Sequence, residues 1–362
     1  MRTVSIMENG NLALTTHSDR ILANIRDFAG MAEFALKQKP LIRGDFSAIS
    51  NVVISGVGGS GIAGDIARDA FEDMIDKPVV VNRKPTIPAF ADERTLFVPI
   101  SYSGDTVETV AALEEALRRG CKIFGITSRG AVERILKEHG LPYAGVKKGY
   151  RSREALPLLL FALVDLFGRL GWIERDFDVG ELKSKRDTIE GVGRELAGTL
   201  YGKTAIICTA HSSVGRRFKS DLNENAKIIA KYEVATEFCH NELNAWLDHD
   251  PKMHVVLLRD RDEAYETAQI IDASKRISKI PFTEICAEGS SKLSRMLYHV
   301  WLGEFTSYYL AVKMGVDLCP LPATERLKEE LLRGPRRLRE GTIDGQSSSV
   351  SHEEPASRIW RG

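Results

Sequence analysis

Asn51-Val52-Val53-Ile54-Ser55-Gly56-Val57-Gly58-Gly59-Ser60-Gly61 is the stretch whose reading decides the fold class. A short apolar run enters a glycine-rich turn, and the helix pattern Gly61–Phe71 follows. That order is the strand–turn–helix unit of a parallel α/β sheet. Outward from it the unit recurs. Val79–Val81 reads as a strand, and Thr95–Ile100 as another, leading into the helix Thr106–Arg119. Cys121–Ile126 reads as a further strand, with a helix near Val132–His139, and an amphipathic helix spans Asp19–Lys37 upstream. Short apolar strands separated by helices imply right-handed crossovers in one sheet.

After the helical stretch Leu156–Leu170 and a long polar-faced helix at Val179–Tyr201, the pattern restarts. Thr204–Thr209 is a strand, Arg216–Lys231 a helix, His254–Leu258 a strand, Tyr265–Ser278 a helix and Phe282–Cys286 a strand, closed by the helix Lys292–Lys313. Ala205-Ile206-Ile207-Cys208-Thr209 before Ala210-His211-Ser212-Ser213-Val214-Gly215 echoes Val52–Gly56 and its Gly/Ser turn. The expected fold is therefore α/β, with two doubly wound parallel sheets flanked by helices. Residues 1–150 form the first unit, 151–180 a helical connection, 181–333 the second unit and 334–362 a mobile tail. In such sheets ligands bind beyond the carboxyl ends of the strands.

At 362 residues the chain has room for two cores. Lys plus Arg equals Asp plus Glu at 50 each, which gives no global field to recruit nucleic acid or an anionic membrane. No apolar run approaches the ~18–20 residues of a membrane span, and Met1-Arg2-Thr3-Val4-Ser5 lacks the layout of a secretion signal. Cys121, Cys208, Cys239, Cys286 and Cys319 are far apart and include no Cys-x-x-Cys pair, which argues for free thiols in the cytoplasm rather than zinc or disulfides.

Two segments carry phosphate chemistry. Gly56-Val57-Gly58-Gly59-Ser60-Gly61 lets backbone N–H groups approach an anion at a helix start. Its spacing also fits a dinucleotide fingerprint, but the acid that should hold a ribose after the next strand is replaced by Asn82-Arg83-Lys84. A tight turn with no ligand is the plain alternative. The second segment, Pro99-Ile100-Ser101-Tyr102-Ser103-Gly104-Asp105-Thr106, puts the hydroxyls of Ser101, Ser103 and Thr106 at another helix start. One hydroxyl suffices for an N-cap; three point to a phosphate dianion.

With these segments in hand, the chain resembles the bifunctional phosphoglucose/phosphomannose isomerases, a branch of the phosphoglucose isomerase superfamily with tandem sugar-isomerase (SIS) domains. The likeness rests on Gly58-Gly59-Ser60-Gly61-Ile62-Ala63-Gly64-Asp65, Ser101–Thr109, Leu222-Asn223-Glu224-Asn225-Ala226-Lys227 and His240-Asn241-Glu242, over roughly residues 20–330. The resemblance implies that Gly59, Ser60, Ser101, Ser103 and Thr106 line the sugar-phosphate site. It implies that Arg153 is the active-site arginine, Glu224 the proton-transfer base, His240 the ring-opening residue and Lys328 a C-terminal lysine that reaches the substrate. It also implies a homodimer whose subunits share residues at each active site. The family often carries an Asp-Pro-Thr-Pro-like run whose threonine is tied to mannose-phosphate use; here the run is Asp317-Leu318-Cys319-Pro320, without an evident counterpart.

The implied reaction moves a proton between C1 and C2 of a sugar 6-phosphate through a cis-enediol. An imidazole suits ring opening, a desolvated carboxylate can carry the proton, and a guanidinium can stabilise the enediolate. No hydride moves and no bond to phosphorus breaks, so neither cofactor nor metal is expected. The rivals are a non-catalytic SIS regulator, an amidotransferase half and a nicotinamide-dependent oxidoreductase. About 45 N-terminal residues leave little room for a DNA-binding domain, and position 2 is Arg rather than the cysteine a glutaminase needs.

Overall fold

The computed structural model describes residues 18–40, 42, 46–175, 177–248 and 251–333. Residues up to Cys319 form one compact unit, and Pro320 onward a second, which contains the helix Pro322–Arg333. The tail expected from Gly334 lies outside the described residues. No helix among the described residues is long and apolar enough to cross a membrane.

The large unit holds two parallel sheets. In the first, β1 (Asn51–Ser55) lies between β2 (Val79–Asn82) and β3 (Thr95–Ser101), with Val53 opposite Val80 on one side and Phe97 on the other. Beyond β3 come β5 (Gly125–Thr127) and β6 (Tyr143–Gly145), while the two-residue β4 (Lys122–Ile123) pairs the start of β3. Every residue of β3 is buried, as expected for a strand covered by helices on both faces. The second sheet repeats the centre of this plan: β7 (Thr204–Thr209) lies between β8 (Ala230–Val234) and β9 (Met253–Arg259), and β10 (Phe282–Cys286) adds an edge. In both sheets the chain reverses its direction of winding beside the first strand, so the loops after β1 and β7 open at equivalent switch points.

One hydrophobic core joins the sheets. The helix Leu156–Arg169 is buried from Leu156 to Phe167. The 23-residue helix Lys292–Met314 is buried along most of its length, and Trp301 within it stacks on Phe28 and Phe305 at 5.2 and 5.7 Å. Burial of each such ring contributes about 1.5–3 kcal/mol. Trp301 also donates its indole N–H to Ile25 O at 2.7 Å, which ties the N-terminal helices to the centre.

Three helices differ from the sequence expectation, and the strand expected at Cys121–Ile126 is split into β4 and β5 around Phe124. The helix expected at Arg216–Lys231 ends early: Ser212–Asp221 is α-helical, Leu222–Ala226 is a π-turn, and Lys227 takes a left-handed φ of 58° before β8 begins. Asn223 competes with helical bonding there by donating to Ile228 O at 2.7 Å. The helix expected at Val179–Tyr201 is two, Val179–Ser184 and Arg186–Leu200, and Ser184 Oγ bonds Glu181 O at the junction. The N-terminal helix is broken at Asp27, with Phe28–Lys37 following.

Candidate active site

The loop after β1 starts the helix Gly59–Phe71, whose N-cap is Gly58. A Cβ at Gly61 would lie 2.4 Å from Gly56 O, so only glycine lets the helix start fold back so tightly on the strand end. The loop lies against the chain at the next site residue, for a Cβ at Gly59 would sit 3.7 Å from Arg153 Cα. Ser60 is buried, and its Oγ accepts the Tyr102 N–H at 3.3 Å, which links this loop to the one after β3.

Beyond β3, the buried Ser101 Oγ accepts the Gly104 N–H at 3.0 Å and shares a 3.0 Å hydrogen bond with Thr106 Oγ1. Thr106 is the N-cap of the helix Val107–Arg118, yet its side chain makes no capping bond because it is turned back to Ser101. The first-turn N–H groups therefore keep their donors for an anion. Ser103, half-buried, bonds weakly to the Asp105 N–H at 3.4 Å. Gly104 has a φ of 77°, and a Cβ there would lie 1.6 Å from Arg129 O, so the loop closes only over glycine. Thr127 Oγ1 braces it from below by donating to Ser101 O at 2.7 Å.

Arg153 precedes the helix Leu156–Arg169 and is buried. One guanidinium nitrogen, Nη2, donates to Leu318 O. The other, Nη1, is buried without a hydrogen-bond partner and lies 3.9 Å from Glu224 Oε2. Burial pushes this guanidinium's pKa down, and the nearby Glu224 carboxylate works in the opposite direction. Glu224 stands on the π-turn, its side chain 36% exposed. The turn holds it by its neighbours: Asn225 donates to Ser307 Oγ at 2.9 Å, and the Lys227 ammonium bonds Glu224 O. A buried cation with a free donor thus faces a solvent-touched carboxylate, an arrangement able to stabilise an oxyanion beside a base.

Gly59, Ser60, Ser101, Thr106, Arg153 and Glu224 are thus connected through short contacts within one unit. His240 makes none of these contacts. It is exposed at the end of the turn Glu237–Cys239, beyond β8, and its ring has no hydrogen-bond or ion-pair partner among the described residues. Lys328 belongs to the helix Pro322–Arg333 of the second unit. Cys319, in the divergent run, lies with its Sγ 2.9 Å from Arg151 Nη2.

Sequence reasoning missed the layer behind Arg153. Arg217 donates to Arg153 O at 2.8 Å and to Glu304 Oε1 at 2.7 Å, with all three residues buried. A signal was available, since Glu304 is an acid inside the apolar run Val300-Trp301-Leu302-Gly303-Glu304-Phe305.

Comparison with known proteins is in keeping with this geometry. Residues 46–133 match the SIS domain family, and residues 190–331 match the family described as the bacterial phospho-glucose isomerase C-terminal SIS domain. The chain is 34% identical over 301 residues to a bifunctional phosphoglucose/phosphomannose isomerase of Aquifex aeolicus, covering 79% of this chain and 92% of that one. It is 33% identical to the protein of the same name from Thermoplasma acidophilum, covering 82% and 95%. Among solved structures, the C-terminal domain of glucosamine-fructose-6-phosphate aminotransferase from Francisella tularensis shares the fold, with a TM-score of 0.64, 16% identity and 82% and 97% of the two chains covered.

Proposed function

The chain belongs to the bifunctional phosphoglucose/phosphomannose isomerases, and from that premise we propose that it interconverts glucose 6-phosphate and mannose 6-phosphate with fructose 6-phosphate through a cis-enediol. The observation that carries the proposal is the buried Arg153 Nη1, free of hydrogen bonds and 3.9 Å from the Glu224 carboxylate, beside two anion-ready helix starts.

In this reading the amides near Gly59 and Ser60 and the hydroxyls of Ser101, Ser103 and Thr106 hold the phosphate. Fixing the remote end of the sugar turns binding energy into orientation of C1 and C2. Glu224 takes the proton from one carbon and returns it to the other, and the sugar covering it desolvates the carboxylate and strengthens it as a base. Arg153 stabilises the enediolate oxygen. Rotation about C2–C3 before deprotonation lets one base serve both C2 epimers. His240 opens the ring, and Lys328 is the remaining candidate for a substrate contact.

The test is Glu224→Gln. We expect kcat to fall about 1,000-fold, within the range of a lost general base, while fructose 6-phosphate still binds. Turnover near native in the folded variant would remove Glu224 from the reaction. A native protein that binds both sugar phosphates without converting either would instead be a regulator.

The exposed, unpartnered ring of His240 supports a shared site in a homodimer, in which it completes the neighbour's centre. Val107, beside Thr106, is 76% exposed and Ile229, beyond Lys227, is 84% exposed, which gives apolar surface for such a contact. His240→Ala and Glu224→Ala subunits, each inactive, should regain part of the native rate when mixed; no recovery despite subunit exchange would refute the shared site. Five unpaired cysteines fit a cytoplasmic setting.

A further inference from the structure

Behind the Arg153–Glu224 pair lies a buried polar layer that no step above uses. Arg217, on the helix Ser212–Asp221, sits at its centre. Its Nη2 donates both to Arg153 O at 2.8 Å and to Glu304 Oε1 at 2.7 Å. Its Nε lies 3.0 Å from Asp221 Oδ2, though without the alignment of a hydrogen bond. All four residues are buried. A cavity of about 10 Å³, lined by Arg153, Glu154, Arg217, Asp221, Asn225 and Glu304 among others, adjoins them. That is space for a single water, and buried atoms of Arg217, Asp221, Asn225 and Glu154 that lack partners turn up around it.

We propose that Arg217 is a positioning residue that fixes both members of the reacting pair, gripping the main chain of Arg153 on one side and the Asp221 end of the Glu224 turn on the other. The connections run in both directions. Asp221 closes the helix whose continuation, three residues on, is Glu224. On the same turn Asn225 donates to Ser307, and Ser307 and Glu304 stand one turn apart on the helix Lys292–Met314. That long helix, packed into the core, anchors the turn through Asn225 and anchors Arg217 through Glu304. Burial opposes the charge on Arg217, but Asp221 and Glu304 outweigh it and hold the guanidinium above its ordinary range. Burial raises the pKa of both carboxyls, that of Glu304 to about 7, against the pull of Arg217. A buried ionisable cluster this deep gains less as stabilisation than as fixed geometry. Lysine is a single point charge and cannot span the same three groups.

This inference rests on the isomerase reading, and the experiment keeps the two apart. Steady-state kinetics with fructose 6-phosphate would be measured for the native chain, Arg217→Lys, Glu304→Gln, Arg153→Lys and the Arg153→Lys/Arg217→Lys double variant. If the native chain turns over no sugar phosphate, the isomerase reading fails. If it does, we expect Arg217→Lys to lower kcat about 10- to 100-fold with KM changed less than about threefold, the signature of lost transition-state geometry. Glu304→Gln, which keeps an acceptor for Nη2, should lower kcat about fivefold. In the Arg153→Lys background, Arg217→Lys should cost less than about threefold more, because residues acting as one unit are not additive. A kcat within about twofold of native in Arg217→Lys, or fully additive losses in the double variant, would overturn the proposal. Should Arg217→Lys fail to fold, Glu304→Gln decides alone: native kcat overturns it, and reduced kcat at unchanged KM sustains it.

Discussion

The loops after β1 and after β7 occupy equivalent places in their sheets, yet one is left open and the other is plugged. Both follow a central strand flanked on either side by parallel neighbours, and both start a helix whose second residue is a serine, Ser60 in the first and Ser213 in the second. In the first loop glycines bring the backbone close and no side chain caps the helix. In the second, the Ser213 N–H donates to Asp69 Oδ2 at 3.1 Å in a buried contact. Asp69 lies near the end of the helix that begins at the first loop. A carboxylate near its own helix's C-terminus is unfavourably placed, and at another's N-terminus it is well placed. The same architecture thus offers two helix starts; the chain meets one with its own acid and leaves the other without a side-chain cap.

The largest effect should come from filling the neighbouring helix start after β3, which the Ser60–Tyr102 bond joins to the open loop. Ser103→Asp puts a carboxylate at the uncapped start of the helix Val107–Arg118. Like charges about 4 Å apart at an effective dielectric of about 20 repel by roughly 4 kcal/mol, and solvent screening reduces this. We expect KM for fructose 6-phosphate to rise about 100-fold while thermal unfolding stays cooperative, since each 1.4 kcal/mol is tenfold in affinity. A KM within about threefold of native would mean that the phosphate does not lie at this helix start, and that the open loop has no partner there in binding it.

How much of this was legible follows from where the information sits. The open site was readable because its parts are contiguous: strand, glycine turn and hydroxyl cluster fall within Asn51–Gly61 and Pro99–Thr106. The plugged loop was readable as an echo, but its plug was not, because Asp69 and Ser213 meet across 144 residues. Arg217 and Glu304, 87 residues apart, were missed for the same reason. Local signals failed at the π-turn, where no Gly or Pro marks the break and Lys227 takes a left-handed conformation without being glycine. The expected helix overran the first two residues of β8 and left the rest unassigned, because Lys231 and Glu233 make the strand polar, as an edge strand can be.

The smallest effect should come from unplugging the second loop. Asp69→Asn keeps the size of the side chain but removes the charge that meets both the Ser213 N–H and Arg68, whose guanidinium lies 2.6 Å from Asp69 Oδ1. The Arg68 pair is partly exposed and contributes little. The buried, charge-assisted bond to a helix N-terminus carries most of the loss, so we expect about 1–2 kcal/mol less stability in urea unfolding. Because Asp69 serves the fold rather than the substrate, kcat and KM should stay within about twofold of native. A large fall in kcat without loss of stability would break the comparison. It would mean that the loop after β7, His211 included, takes part in the chemistry, and that the chain's own carboxylate holds a second functional site rather than sealing an unused one.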